Sequence, residues 1–284
     1  MKRLLFALLI LVIALPAAFA TPTSETADMG DDTSLYNTPD DPRLYEPGKL
    51  TVATGEPVYP PWMLNDDPAG GEGFESALVY ALAEELGFDR NDVVWIRQTF
   101  DQGIAPGAKP YDFNIQQYSI TEERREFVTF SDVYYQPDKA VVALPDSGIS
   151  QARRIADLRN VRWGATIGTT DLAYIEDVIG VDDVAVYNDQ AATFQALLGD
   201  QIDATVISVP TAYFATAVQV PEATIAAILP ADPNDQGFGF VFEKDNPIVD
   251  WINEGLAAIR ADGTIDAIAT EWLAGAGDIP EISE

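Results

Sequence analysis

Short β-rich runs alternate with amphipathic helical stretches along most of this chain, and that alternation limits the fold more than any other feature. Leu50-Thr51-Val52-Ala53-Thr54 is a compact extended run. Phe74, Leu78, Leu82 and Leu86 then recur every four residues until Gly87 ends the period, as one apolar helical face does. Val93 to Ile96 reads as the next strand, and Asp112 to Ile120 as a third that passes into a helix near Thr121. Further β-like runs lie at Val161 to Ile167, Val184 to Tyr187 and Ala204 to Val209, with helical stretches at Asp171 to Ile179 and Gln190 to Leu198 between them. Gly237 to Phe242 reads as a strand, and Pro247 to Arg260 and Thr264 to Leu273 as two helices. Strands separated by helices of this length pair in parallel sheets through right-handed crossovers, so the class is α/β.

The inventory of side chains narrows the chemistry. With no His and no Cys, the chain excludes thiol nucleophiles, disulfides, Ser-His-Asp triads and His- or Cys-ligated zinc. We expect neither a cofactor nor a metal. Sixteen Lys and Arg stand against 46 Asp and Glu, a formal charge of −30 that repels phosphate backbones and anionic lipid and makes nucleic acid an unsuitable partner. At 284 residues and 47% hydrophobic, the chain has the apolar content for one large or two moderate domains.

The first residues form a separate object. Lys2 and Arg3 precede an apolar run from Leu4 to Leu15, Pro16 breaks it, and Ala18-Phe19-Ala20 presents small residues at the positions a signal peptidase reads. Residues 1–20 are therefore expected to be a secretory signal peptide cleaved near Ala20; the run is too short for a span of roughly 20 apolar residues. The mature chain is expected to be secreted or periplasmic, without a lipid anchor on Cys. Loss of Lys2 and Arg3 leaves 14 bases and 46 acids, so its charge becomes 14 − 46 = −32. Residues 21–47 hold seven acids and one base, Arg43, with no helical or strand period, and read as a disordered acidic linker. Residues 276–284 read as a flexible acidic tail. From Arg162 to Lys244 no Lys or Arg intervenes, a shift in charge character that suggests a second lobe and means no cation within that segment can hold an anion.

The most informative stretch runs from Tyr111 through Gln117, Ser119 and Thr121 to Arg124, a polar strand entering a helix. Thr121 is the expected N-cap, its hydroxyl accepting a free helix N–H. Glu122 and Glu123 suit the positive end of a helix, whereas Arg124 meets like charge there, a cost of a few tenths to about 1 kcal/mol. A guanidinium beside exposed N–H groups offers a planar fork for a carboxylate; the alternative is a surface pair with Glu123 or Glu126. Gly168-Thr169-Thr170 closes a strand in a glycine turn whose N–H groups suit a second carboxylate oxygen, although such turns also serve as plain helix caps. Tyr59-Pro60-Pro61-Trp62 follows the first strand, the end of an open α/β sheet where ligands sit, and places Tyr59 and Trp62 for stacking.

These residues carry a resemblance. From about Gly48 to Leu273 the chain resembles the bacterial extracellular solute-binding proteins of the polar amino-acid ABC importers. The landmarks are, in order, Tyr59-Pro60-Pro61-Trp62, Gly73-Phe74-Glu75, Ser119-Ile120-Thr121-Glu122-Glu123-Arg124, Val128 to Tyr135, Ile167-Gly168-Thr169-Thr170 and Asp262-Gly263-Thr264. The resemblance implies a two-lobe, type II periplasmic-binding-protein-like α/β fold, each lobe a mainly parallel sheet flanked by helices. Lobe one would be 48–140 plus 240–275 and lobe two 141–239, joined by crossing strands around Lys139 to Leu144 and Phe238 to Phe242. It implies that Arg124 holds a ligand carboxylate with Ser119 and the backbone at Gly168, Thr169 and Thr170, that Tyr59 and Trp62 pack on the ligand side chain, and that Gln117 lines the pocket. Partners would be an amino acid or related carboxylate and a membrane ABC permease, with the protein monomeric. One departure stands out: Ser208 occupies the position where the family commonly places an Asp for the ligand ammonium. Glu56 or Glu75 then substitutes for it, or the ligand lacks a conventional amino group. The competing reading is an enzyme on the same scaffold, such as a dehydratase of cyclic carboxylic acids with Glu56 or Glu75 as acid or base.

Overall fold

Residues 33–273 and 279–283 are described in a computed structural model, so the expected signal peptide and the first part of the expected linker lie outside the described residues. The strands and helices pack within one unit, Ser34–Glu284. The chain first builds β1 (Leu50–Gly55), α1 (Phe74–Glu85), β2 (Val93–Gln98), α2 (Phe100–Ile104), β3 (Phe113–Asn114), α3 (Glu122–Arg125) and β4 (Thr129–Phe130). It then makes β5 (Lys139–Ala143), β6 (Gly164–Thr166), α4 (Thr170–Ala173), β7 (Ala185–Tyr187), α5 (Gln190–Leu198), β8 (Ala204–Ser208), α6 (Val209–Phe214) and β9 (Thr224–Ile228). It closes with β10 (Val241–Phe242), α7 (Val249–Ala261) and α8 (Thr264–Trp272).

Two lobes result. The first sheet has the order β2-β1-β3-β10-β4. β1 runs parallel to β2, from Leu50↔Val93 to Gly55↔Gln98, and parallel to β3 on its other side. Every residue of β1 is buried, as expected of a strand covered on both faces, which is why it reads as a continuous rather than alternating run. α1 buries Phe74, Leu78 and Leu82 completely. α7 approaches α1 closely at Gly255, where an added Cβ would lie 2.8 Å from Leu82 and Leu86.

The second lobe carries the ladder β8-β5-β9 and the parallel pair β6-β7, with Trp163 bridged to Ala204 beside them. The βαβ units pair in parallel, while the segments that arrive from the other lobe insert in the opposite sense. β10 is antiparallel to β3 and β4, and β5 is antiparallel to β8 and β9. Lys139 to Ala143 thus forms the middle strand of the second sheet, and Phe238 bridges Ser119 and Tyr135 in the first lobe. The third expected strand is short because Gln117 takes φ 51° and turns the chain out of the ladder.

Both ends correct the reading from composition. The linker expected to be disordered is, from residue 36 on, folded against the first lobe: Asp41 is fully buried and pairs with Arg43 at 2.6 Å, and Leu44 enters the first core. One buried ion pair and one apolar anchor outweigh the polar average of that window. Of the tail expected to be flexible, 276–278 and 284 lie outside the described residues, and 279–283 join the open edge of β9, where Ile228 N–H donates to Pro280 O at 2.8 Å and Ile282 N–H to Ile228 O at 3.0 Å; Ile282 is buried in the second core. An unpaired edge recruits whatever extended chain can reach it.

Asp112 ties the N-terminal segment to β1. Its buried carboxylate accepts the N–H groups of Tyr45 at 2.7 Å and Thr51 at 2.6 Å, and burial pushes its pKa up to about 6. Asp112→Ala leaves both donors without that acceptor and is expected to cost about 1–3 kcal/mol. A lowered urea midpoint and faster proteolysis before residue 48 would show it, and an unchanged midpoint would refute it.

Candidate functional site

A cavity of about 260 Å³ lies between the lobes. The loops that follow β1 and β3 and the α2 turn shape one wall; the β6–α4 turn, the start of α5 and the end of β8 shape the other.

Arg124 sits at its base. Thr121 caps α3 as expected, its hydroxyl accepting Arg124 N–H at 3.2 Å. The helix is a single turn, so it carries little dipole and orients Arg124 chiefly by its cap. The buried guanidinium donates to Ser119 O at 2.7 Å and, across the cleft, to Gly168 O at 2.8 Å. It therefore touches both lobes, and two of its five N–H donors are engaged by these carbonyls. Burial lowers its pKa, against the pull of Asp235 and Asp171. Its neighbour Arg125, not Arg124, makes the surface pair, with Glu122 at 3.7 Å. The Phe100 ring lies 5.5 Å from the Arg124 guanidinium carbon and packs against Tyr118 at a tilt of 31°, and the Tyr118 hydroxyl donates to Phe100 O.

Most of the residues singled out in the sequence converge here. Glu56, Tyr59, Gln117, Ser119, Arg124, Thr169, Thr170 and Ser208 line the cavity. Gly168 borders the groove behind Arg124 and contributes its carbonyl. Two do not belong. Trp62 is 1% exposed, packs edge-on against Phe74, Tyr135 and Phe238, and donates its indole N–H to Thr211 Oγ1 at 2.8 Å. The aromatic loop read as a stacking platform thus splits, with Tyr59 at the cleft and Trp62 in the core. Glu75 is completely buried behind Gln117, its carboxylate accepting the Gln117 backbone and side-chain N–H groups and the Tyr134 hydroxyl. Burial raises its pKa to about 7. Neither a contact with ligand nor acid-base work in the cleft is open to it.

Sequence reading missed a charged cluster. Lys139, at the start of β5, is buried and donates to Asp171 at 2.7 Å and to Thr170 Oγ1 at 3.0 Å, with Asp235 at 3.3 Å. Burial pulls the ammonium pKa down, but Asp171 and Asp235 outweigh it and hold it above the ordinary lysine value. Lys139 pairs in register with Ser208 of β8, whose hydroxyl bonds Thr211 at 2.8 Å. A signal existed, since a lone cation heading the apolar run Lys139-Ala140-Val141-Val142-Ala143 must find counter-charge when that strand is buried. Phe100 was also legible, because Thr99 and Gln102 form a capping box directly after β2. Asp189 lines the cavity near Tyr59 while capping α5 through Ala192 N–H at 2.8 Å.

Known proteins resemble this chain over most of its length. The profile of the "Bacterial extracellular solute-binding proteins, family 3" matches residues 50–275. The "ABC transporter arginine-binding protein 1" of Escherichia coli is 29% identical over 208 residues, covering 71% of this chain and 81% of that protein. Among solved structures, "An ancestral arginine-binding protein bound to glutamine" superposes with a TM-score of 0.66 at 27% identity, covering 80% of this chain and 99% of that one. An ancestral amino acid-binding protein described as a precursor of cyclohexadienyl dehydratase gives a TM-score of 0.65 at 26% identity, covering 80% and 96%.

Proposed function

Because this chain belongs to the bacterial extracellular solute-binding proteins, family 3, we propose that its cleft captures a small amino acid or related carboxylate between closing lobes and delivers it to a membrane ABC permease. The observation that carries the reading is Arg124, a buried fork of donors at the base of an interlobe cavity, bonded to backbone on both sides. Charge-assisted bonds from a guanidinium to a carboxylate are roughly twice as strong as those a hydroxyl or amide in the same lining offers. Ligand contacts available only when the lobes meet would shift the population towards the closed form. In this reading, 48–140 with 240–275 make one moving body and 141–239 the other.

Glu56 and Asp189 line the cleft wall together with Tyr59, whose hydroxyl feels Asp189, whereas the acids that act on Arg124 are Asp235, Asp171 and Glu123. We assign that wall to a cationic or strongly donating ligand side chain, in keeping with the arginine named for the relatives. Glu56→Gln is expected to weaken binding of L-arginine about fivefold to a hundredfold while leaving L-glutamine little changed, the loss of one charge-assisted contact. Calorimetry with both ligands checks it, and equal losses for the two would refute the assignment.

Ser208 brings no countercharge for an α-ammonium, and Glu75 is out of reach behind Gln117. Mass spectrometry of solute carried through purification, followed by thermal shifts with amino acids and their des-amino analogues, tests whether the ammonium is recognised at all. Ligand returned chemically unchanged after long incubation supports capture, whereas new product would favour the dehydratase-like alternative.

A further inference from the structure

Asp235 lies between β9 and β10, outside every motif singled out in the sequence, and its side chain is only 7% exposed. Its Oδ2 lies 2.7 Å from the Ser119 hydroxyl, 3.1 Å from that of Thr170 and 3.3 Å from the Lys139 ammonium; Oδ1 accepts Gly237 N–H at 2.9 Å. Ser119 belongs to the first lobe and Thr170 to the second, while Lys139 opens β5 where the chain crosses between them. Every one of these bonds joins the chain's own groups.

Counting protons decides what the cluster leaves for a ligand. Lys139 has three, and Asp171, Thr170 Oγ1 and Asp235 are their acceptors. Thr170 Oγ1 receives one of them and has a single proton of its own, which Asp235 takes. Ser119 also has one proton, which Asp235 accepts at 2.7 Å, and Thr170 Oγ1 lies 3.0 Å from the same hydroxyl. Both hydroxyls thus turn lone pairs, not protons, towards the cavity. Lys139 is likewise spent, which leaves Arg124 as the cation of this cluster with donors to spare.

We infer that Asp235 is a positioning residue for the cleft, an internal carboxylate that latches the two lobes through Ser119, Thr170 and Lys139 and reserves the anion site for Arg124. The inference rests on the reading of the cleft as a binding site that opens and closes. A carboxylate in this place does for the lobes what a bound anion would otherwise do, so part of the closing free energy is built into the chain. Ligand then meets a cleft whose closed form is already populated, and its apparent affinity carries a smaller conformational penalty.

The chain has no cysteine, so spin labels on Glu84→Cys in α1 and Gln195→Cys in α5, both exposed, report the interlobe distance by double electron–electron resonance. Without added ligand, the labelled parent should show a predominantly short distance, and Asp235→Asn should shift it to a longer, broader one. Saturating L-arginine should restore the short distance in the variant, at an apparent affinity lower by roughly fivefold to a hundredfold, the usual range for a coupled conformational step. The double substitution Lys139→Met with Asp235→Asn removes both charges together and should open the cleft in the same way, which covers the case in which the single variant fails to fold. Identical ligand-free distances in parent and variants would overturn the latch. Failure of L-arginine to bind any of them would count against the proposed solute and leave the ligand-free distances to decide the latch.

Discussion

Replacing Arg124 with alanine is expected to weaken solute binding by about 2–5 kcal/mol, the scale for stripping a buried charge of its partner. That is roughly thirty- to several-thousand-fold in affinity. The large size follows from position and chemistry together. The guanidinium is buried at the base of the cavity, so solvent screening does little to its pull on an anion, and the Lys139 ammonium beside it is already committed to Asp171 and Asp235. The same side chain bridges Ser119 O and Gly168 O, so its loss removes an interlobe contact as well as a ligand contact. Arg124→Lys separates these effects. It keeps the charge but not the planar fork, and should recover only a small part of the affinity. Calorimetry with the co-purifying solute reads both variants; an alanine variant that binds as tightly as the parent would remove Arg124 from the site.

The strength of the sequence reading for Arg124 and its weakness for Asp235 have one physical cause. Arg124 belongs to a local pattern: a cap at Thr121, two acids in the first turn and then a misplaced cation, all within a few residues. The β1, α1, β2 progression was legible for the same reason, since burial of β1 on both faces and the four-residue period of α1 are written in consecutive residues. Asp235, by contrast, gains its role only when Ser119, 116 residues away, and Thr170, 65 residues away, are folded against it. Trp62 and Glu75 failed in the opposite direction. Trp62 was read as a stacking residue and Glu75 as an acid at the ligand, yet Trp62 finds an indole partner in Thr211 and Glu75 finds three donors from Gln117 and Tyr134, and such long-range satisfaction allows a polar group to be buried. The acidic segment before β1 was misread because composition averages over Asp41, Arg43 and Leu44, whose value lies in where each one packs.

Glu75 should make this protein more stable at pH 4.5 than at pH 8, the reverse of ordinary acid denaturation. Burial is the leading cause of its raised pKa, about 7 against 4.5 for an unperturbed glutamate, and the three donors only partly offset it. Between those values the folded chain holds a proton that the unfolded chain has released. Stability therefore falls as pH rises through that window. The contribution is complete below about pH 4.5 and lost above about pH 7, and the difference amounts to on the order of 3 kcal/mol. Asp112, raised by burial to about 6, acts in the same direction over a lower window. Glu75→Gln holds an acceptor in place for Tyr134 and the Gln117 N–H without the titration, provided the Gln117 side-chain amide turns over to meet it. The variant should match the parent near pH 4.5 and exceed it by up to about 3 kcal/mol at pH 8, as read from urea midpoints across that range. A constant difference at every pH would mean that the carboxyl does not titrate in this window. Because Glu75 holds the backbone of Gln117 at the cleft wall, the same proton should also appear as a pH dependence of solute affinity in the parent that the glutamine variant lacks.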